Sequence, residues 1–143
     1  MSIARPNSPK ARAGRRPIRT LIVDDSPVAL ESLRRFLGTD EECELAGSGQ
    51  DGRQAVEMAA ALHPDVVLLD LEMPSMNGLD ATRQIKLQAD PPVVVIVTVF
   101  DDDGCREAAI AAGADGFVCK GEVASVLLPL VHALFDQRRL HAS

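Results

Sequence analysis

Five side chains that close apolar runs are the candidates for chemistry in this chain. Asp24 and Asp25 end the run TLIVDD, Asp70 ends VVLLD, Thr98 ends VVVIVT, and Lys120 follows GFVC. In an open parallel sheet, ligands bind beyond the C-terminal ends of the strands. Three carboxylates, one hydroxyl and one ammonium are therefore expected at a common edge, although nearly 100 residues of sequence separate the first from the last. Crowded carboxylates repel one another, and one lysine does not balance them. A hard divalent cation does: Mg²⁺, with Mn²⁺ as its substitute, takes oxygen ligands and commonly bridges carboxylates to a phosphoryl oxygen. An aspartate can attack phosphorus and become an aspartyl phosphate, with positioning and electrostatics supplying most of the rate. Singly, each residue has a plainer use. Asp24 and Asp25 before Ser26 could favour a helix N-terminus, Thr98 could merely end a strand, and Lys120 could be a solvated loop charge. The set at the ends of four strands is what points to chemistry.

The elements that must position these groups are legible as alternating runs. Strands are expected at Thr20 to Asp24, Glu44 to Gly47, Val66 to Asp70, Val93 to Thr98 and Gly116 to Cys119. The first, third and fourth runs are continuously apolar, as central parallel strands covered on both faces should be. The second is short and polar, as an edge strand should be. Ala29, Leu30, Leu33, Phe36 and Leu37 recur at helical spacing, as do Ala55, Ala59 and Leu62. Leu79 to Gln88 and Gly104 to Ala112 supply further helices, with Ser26 and Asp102 or Asp103 as N-terminal caps and Gly113 as a stop. A last helix is expected from about Glu122 to Arg139. Pro129 would cost it the backbone bond to Ser125, so it should start late or bend. Leu127, Leu130 and Leu134 are its expected core residues, leaving Leu128, Val131 and Phe135 either for deep burial or for a protein-binding face. This is an α/β pattern: a five-stranded parallel sheet, doubly wound, with helices on both faces and right-handed crossovers.

The composition agrees with one compact domain. In 143 residues, 46% are hydrophobic and 25% charged, with no Trp or Tyr and four Phe, so the core must be aliphatic. The odd set Cys43, Cys105 and Cys119 forms no CxxC pair, which signals neither a zinc site nor a disulfide framework and suits a reducing cytoplasm. None of His63, His132 and His141 has a ligand partner at useful sequence spacing. No apolar run approaches the roughly 20 residues needed to span a bilayer, and a cytoplasmic location away from membranes is expected. The net charge of −6 divides sharply: residues 1 to 19 carry six basic and no acidic groups, and the remainder nine basic and 21 acidic. Residues 1–17 read as a basic, disordered tail rich in proline, residues 18–139 as the domain, and 140–143 as a C-terminal tail. The basic tail either remains solvated or binds an anionic partner such as nucleic acid.

LIVDDSP, VVLLDLEMPSMNGLD, VVIVT and GADGFVCK occur in that order, and from residue 18 to about 139 the pattern resembles the response regulator receiver domains of two-component signal transduction. The resemblance implies strand order 2-1-3-4-5 and a phosphorylation-dependent switch. It implies that Asp70 is the phosphoacceptor, that Asp25 ligates the metal directly, that Asp24 acts mostly through water, and that the backbone carbonyl of Glu72 completes the metal shell. Lys120 becomes the phosphate partner, Thr98 the switch hydroxyl and Phe117 the switch aromatic, while Met73, Pro74 and Gly78 match the loop after the phosphoacceptor. The implied partners are a sensor histidine kinase or a phosphotransfer protein, and a second copy or an output partner on the face formed by the fourth helix, fifth strand and fifth helix. Nucleic acid is not expected to bind the domain itself. Lys120 precedes Gly121 where many members have proline, and Phe100 is bulky, able either to shield the phosphate or to pack on the next helix. No helix-turn-helix follows residue 139, which fits a stand-alone receiver or a piece of a longer protein.

Other readings compete. Gly47-Ser48-Gly49-Gln50-Asp51-Gly52 is a literal GxGxxG, with Asp70 at a dinucleotide-binding distance. Against it, the motif follows a polar strand, puts Asp51 where a pyrophosphate should lie, and leaves the strand-end set unused. A phosphatase of the haloacid-dehalogenase kind also uses a strand-end aspartate with Mg²⁺, but typically has a second aspartate where this chain has Glu72. The remaining alternative is an interaction module with the same fold that no longer depends on phosphorylation.

Overall fold

A computed structural model describes residues 16–100 and 102–142; most of the basic tail lies outside them. The chain alternates β1 (Ile18–Val23), α1 (Pro27–Leu37), β2 (Cys43–Gly49), α2 (Gly52–Leu62), β3 (Val66–Leu69), α3 (Gly78–Lys86), β4 (Val93–Thr98), α4 (Asp103–Ala112), β5 (Gly116–Cys119) and α5 (Leu128–Ala142). The five strands form one parallel sheet in the order 2-1-3-4-5, the expected architecture. β2 runs longer than its polar core suggested, from Cys43 to Gly49, and remains a largely exposed edge.

Because successive strand side chains point to opposite faces, each central strand feeds two cores. Ile22, Leu68 and Val95 pack with Leu33 and Leu37 of α1 and with Val131 and Phe135 of α5. Their sequence neighbours Leu21, Val67, Leu69 and Ile96 pack with Ala55, Ala59, Ala81, Ile85 and Ala109 of α2, α3 and α4. Small residues on those three helices let them lie close to the sheet.

The caps explain where the helices start. Ser26 accepts from the Ala29 amide at 3.2 Å and Asp102 from the Cys105 amide at 2.7 Å, while Gly113, at φ 105°, ends α4. Asp51 caps α2 by accepting from the Gln54 amide at 2.8 Å. Gly52 sits directly against the Met76 carbonyl, where any Cβ would collide. The GxGxxG is thus a strand end, a cap and a packing contact. Its helix N-terminus is occupied by an aspartate of the chain itself.

α5 does start late. Lys120–Glu122 form a 3-10 turn and Val123–Leu127 a π-helical stretch, so Pro129 falls in the first turn of α5, where its missing N–H is tolerated. The helix continues to Ala142, past the expected Arg139. Its phase differs from expectation. Leu127, Val131 and Phe135 are the buried set, at 0%, 0% and 6% exposure, and Leu128, Leu130 and Leu134 are half-buried at its flank. Val131 and Phe135 are therefore core rather than a protein-binding face, because the buried stripe counts in fours from Leu127.

The N-terminal end of the sheet is tied by one carboxylate. Asp65 accepts two bonds from the Arg16 guanidinium at 2.8 and 2.9 Å and one from the Arg19 amide at 2.9 Å, with Arg138 of α5 at 3.6 Å. Its backbone bonds to Arg19 and Val93, so the entrances of β1, β3 and β4 and the end of α5 converge on it. Burial pushes this carboxyl up, but the Arg16 bonds, the Arg19 amide and the charges of Arg16 and Arg138 together hold it below its ordinary value. A carboxylate depressed in this way stabilises the fold above its unfolded pKa and loses that contribution as pH falls through the lower folded value. Asp65→Asn is expected to lose about 1–3 kcal/mol at neutral pH. Arg16 is largely exposed, which favours the lower end of that range. The gap from wild type should shrink as the pH drops below the ordinary value of 3.8. Urea denaturation across a pH series measures both effects, and equal midpoints at neutral pH would deny Asp65 this role.

Candidate functional site

The parallel register brings the acidic strand ends together. Val23 lies opposite Leu69, so Asp24 and Asp70 leave adjacent strands side by side. The Asp70 amide donates to the Val23 carbonyl and the Asp24 amide to the Gly49 carbonyl, both at 3.1 Å. Carboxylate oxygens of Asp24, Asp25 and Asp70 all lie within 4.8 Å of one another. Asp24 is 1% exposed and Asp70 8%, whereas Asp25 opens to solvent.

Each buried carboxylate is oriented by the backbone. Asp24 Oδ1 accepts from the Ser26 amide and Asp70 Oδ1 from the Leu71 amide, both at 2.9 Å. Their other oxygens face Lys120, which β5 delivers just past the Thr98–Cys119 pair. The ammonium is 2.7 Å from Asp24 Oδ2 and 3.9 Å from Asp70 Oδ2. Asp24 thus holds the lysine, and Asp70 is the less neutralised of the two. Burial and then the Asp24 charge push the Asp70 carboxyl above its ordinary range, with Asp25 adding to them, while Lys120 and the Leu71 amide act in the opposite direction.

Three carboxylates against one ammonium leave two negative charges in a cluster of oxygen donors. That charge and donor set fit a hard divalent cation such as Mg²⁺. The sulfur and nitrogen ligands that favour softer metals are absent from this cluster.

The loop after Asp70 folds back on itself. The Gly78 amide donates to the Leu71 carbonyl and the Met76 amide to the Pro74 carbonyl, each at 2.7 Å, and Ser75 adopts φ 63°. Gly78 lies so near the Asp70 carbonyl and the Leu71 backbone that a Cβ would collide with both. Glu72 is exposed in this loop.

Thr98 is fully buried at the end of β4, and its hydroxyl oxygen accepts from the Phe100 amide at 3.3 Å. Phe117 is 9% exposed, packed in the α2–α3–α4 core and covered by the Arg106 guanidinium, whose carbon is 4.6 Å from the ring centroid. Phe100 opens to solvent at 37% exposure. After Lys120, a Cβ at Gly121 would touch nothing, and every described peptide is trans.

One cluster escaped sequence reasoning. Asp40, Cys43 and His132 place ligand atoms within 4.8 Å of one another at the other end of the sheet. His132 comes from 92 residues away, so no local spacing could have signalled it. Burial and then the Asp40 charge push the Cys43 thiol up to about 12.

An open sheet of order 2-1-3-4-5 defines a flavodoxin-like α/β protein, and its charged cluster lies at the topological switch point, where strand order reverses. The chain belongs to the response regulator receiver domain family, which matches residues 20–132. It is 35% identical over 115 residues to the transcriptional regulatory protein YdfI of Bacillus subtilis, covering 80% of this chain and 54% of that protein. It is 43% identical over 108 residues to a protein-glutamate methylesterase/protein-glutamine glutaminase of Pyrococcus abyssi, covering 73% of this chain and 29% of that protein. The chain therefore spans about half or less of the length of these relatives. The response regulator domain of Thermotoga maritima CheB superposes with a TM-score of 0.79 at 31% identity, covering 85% of this chain and 98% of that one. Among the described residues, no helix is long and apolar enough to cross a membrane.

The crowding at Asp70 has a measurable cost. An acid whose folded pKa lies above its unfolded one weakens the fold as pH rises through those values. In chelator-treated buffer at neutral pH, Asp70→Asn is expected to melt at a higher temperature than the parent, with the difference vanishing as the pH falls below 3.8, the ordinary value. Thermal unfolding followed by circular dichroism reads this. A variant that melts below the parent at neutral pH would mean that the attraction of Asp70 to Lys120 outweighs the repulsion.

Proposed function

We propose that this chain is a phosphorylation-operated signalling switch in which Asp70 accepts a phosphoryl group from a phosphohistidine of a sensor histidine kinase or a phosphotransfer protein. The observation that carries this reading is the convergence of three carboxylates on one edge, with Lys120 shared between Asp24 and Asp70. Asp24, Asp25, Asp70 and the backbone carbonyl of Glu72 are the groups that would hold Mg²⁺ or Mn²⁺. The bound cation supplies positive charge to the phosphoryl oxygens during transfer.

In the transfer, an Asp70 carboxylate oxygen forms the new bond to phosphorus while the P–N bond breaks and its electron pair returns to the donor imidazole. Lys120, anchored on Asp24 and 3.9 Å from Asp70, is within a side-chain rotation of the incoming phosphoryl oxygens. Thr98 offers its hydroxyl from a neighbouring strand end. Its movement toward those oxygens changes the volume beside Phe117 and, through that ring and Arg106, the α4–β5–α5 surface. A second copy or an output partner reads that surface. Catalysis is confined to the chain's own phosphorylation and slow dephosphorylation, and the kinase partner places the chain in the cytoplasm.

Intact-mass measurement after incubation with a small phosphodonor and Mg²⁺ tests this reading. One covalent phosphoryl group is expected, absent in Asp70→Asn and in metal-free buffer, and Lys120→Ala should slow its formation by about 10²–10³. An adduct that persists in Asp70→Asn would move the site. Sustained turnover of a phosphomonoester would favour a phosphatase, and no adduct even with a cognate kinase would favour a module independent of phosphorylation. Thr98→Ala is expected to keep the adduct but lose the hydrogen-exchange change over α4, β5 and α5; a wild-type response would remove Thr98 from the switch.

A further inference from the structure

We infer that Asp40, Cys43 and His132 form a second cation site, distinct from the acidic edge and suited to a borderline divalent metal of the Zn²⁺ class. The three donors are a carboxylate oxygen, a thiol sulfur and an imidazole nitrogen, all within 4.8 Å of one another and half-buried. A tetrahedral ion with bonds of about 2.0–2.3 Å holds its ligand atoms roughly 3.3–3.7 Å apart, so small side-chain rotations bring this set to bonding distance. Hard oxygen clusters select Mg²⁺, whereas mixed sulfur, nitrogen and oxygen sets select zinc-like ions.

Each donor is held by structure that does not depend on an ion. Cys43 opens β2 opposite Ile18 and donates its amide to the Asp40 carbonyl at 3.1 Å. Asp40 Oδ1 accepts from the Glu42 amide at 2.8 Å, which leaves Oδ2 facing His132 Nε2 at 2.7 Å. His132 follows the fully buried Val131 on α5, and its Nδ1 lies 3.5 Å from Glu42 Oε1. A carboxylate beside the far nitrogen of an imidazole is the outer-shell arrangement that orients metal-binding histidines. On binding, the Cys43 thiol proton leaves to solvent, the proton shared by His132 Nε2 and Asp40 Oδ2 leaves that pair, the neutral imidazole keeps its proton on Nδ1 toward Glu42, and the cation takes the vacated place. The Cys43 thiolate and the Asp40 carboxylate then match the charge of the ion, and the fourth position is open to water. Such an ion cross-links α5 to the connection between α1 and β2.

The test uses the reduced, chelator-treated protein with excess Mg²⁺ present to fill the acidic edge. Titration with Co²⁺ is expected to give one equivalent of a thiolate-to-cobalt charge-transfer band, removed by Zn²⁺, and Zn²⁺ should raise the melting temperature. Cys43→Ser should abolish the band, while Cys105→Ser and Cys119→Ser should leave it unchanged. His132→Gln, altered on a partly exposed helix surface and checked for fold by circular dichroism, should weaken binding by more than the roughly 10–100-fold that loss of an outer-shell partner costs. Absence of the band in the parent protein overturns the site, as does a band that survives Cys43→Ser or has undiminished affinity in His132→Gln.

Discussion

The sheet's C-terminal edge holds like charges that the chain cannot separate. Asp24 and Asp70 follow hydrogen-bonded neighbours on β1 and β3, so their spacing is fixed by strand pairing and not by their own preference. Both are nearly buried, which removes the water that would screen them. Lys120 relieves part of the repulsion and does so unevenly, closer to Asp24 than to Asp70. That imbalance leaves the ammonium bound to one carboxylate and within a small displacement of the other. The loop after β3, closed by Gly78 against the Asp70 backbone, helps to keep this arrangement in place.

The opposite end of the sheet solves the reverse problem. Asp65 is buried among basic groups and is held in its charged form, fastening three strand entrances and α5. Stability is therefore concentrated at one end and electrostatic tension at the other. This division lets the strand ends near Asp70 be organised for ligand chemistry without the sheet depending on them for its own cohesion.

Much of this was legible in the sequence because it is written in local patterns. Continuously apolar runs gave the buried strands, and side-chain caps at Ser26 and Asp102 with Gly113 gave the helix ends. The strand-end set was readable because parallel topology sends every strand's C-terminus to one edge, so knowing the strands was nearly enough to know the site. What escaped depends on distance in three dimensions. The phase of α5 turned on a π-helical stretch that no apolar spacing announces, and it moved Val131 and Phe135 into the core. The GxGxxG could be set aside from the sequence, but the structural reason for Gly52, its contact with the Met76 backbone across the fold, could not be read there. His132 met Asp40 and Cys43 only because α5 crosses back over the start of β2.

α5 links these regions physically. The segment leading into it begins at Lys120, the helix buries Leu127, Val131 and Phe135 in the core, and its outer side reaches Asp40 through His132 and Asp65 through Arg138. Between Lys120 and the rigid helix lie a 3-10 turn and a π-helical stretch, neither of which has α-helical hydrogen bonding. Such stretches often mark functional hinges. A displacement of Lys120 from Asp24 would be taken up first in this segment, while the contacts of His132 with Asp40 and of Arg138 with Asp65 hold the helix beyond it. Residues 120–127 thus separate the charged edge from the anchored part of α5, so a rearrangement at that edge need not disturb the helix that His132 and Arg138 hold.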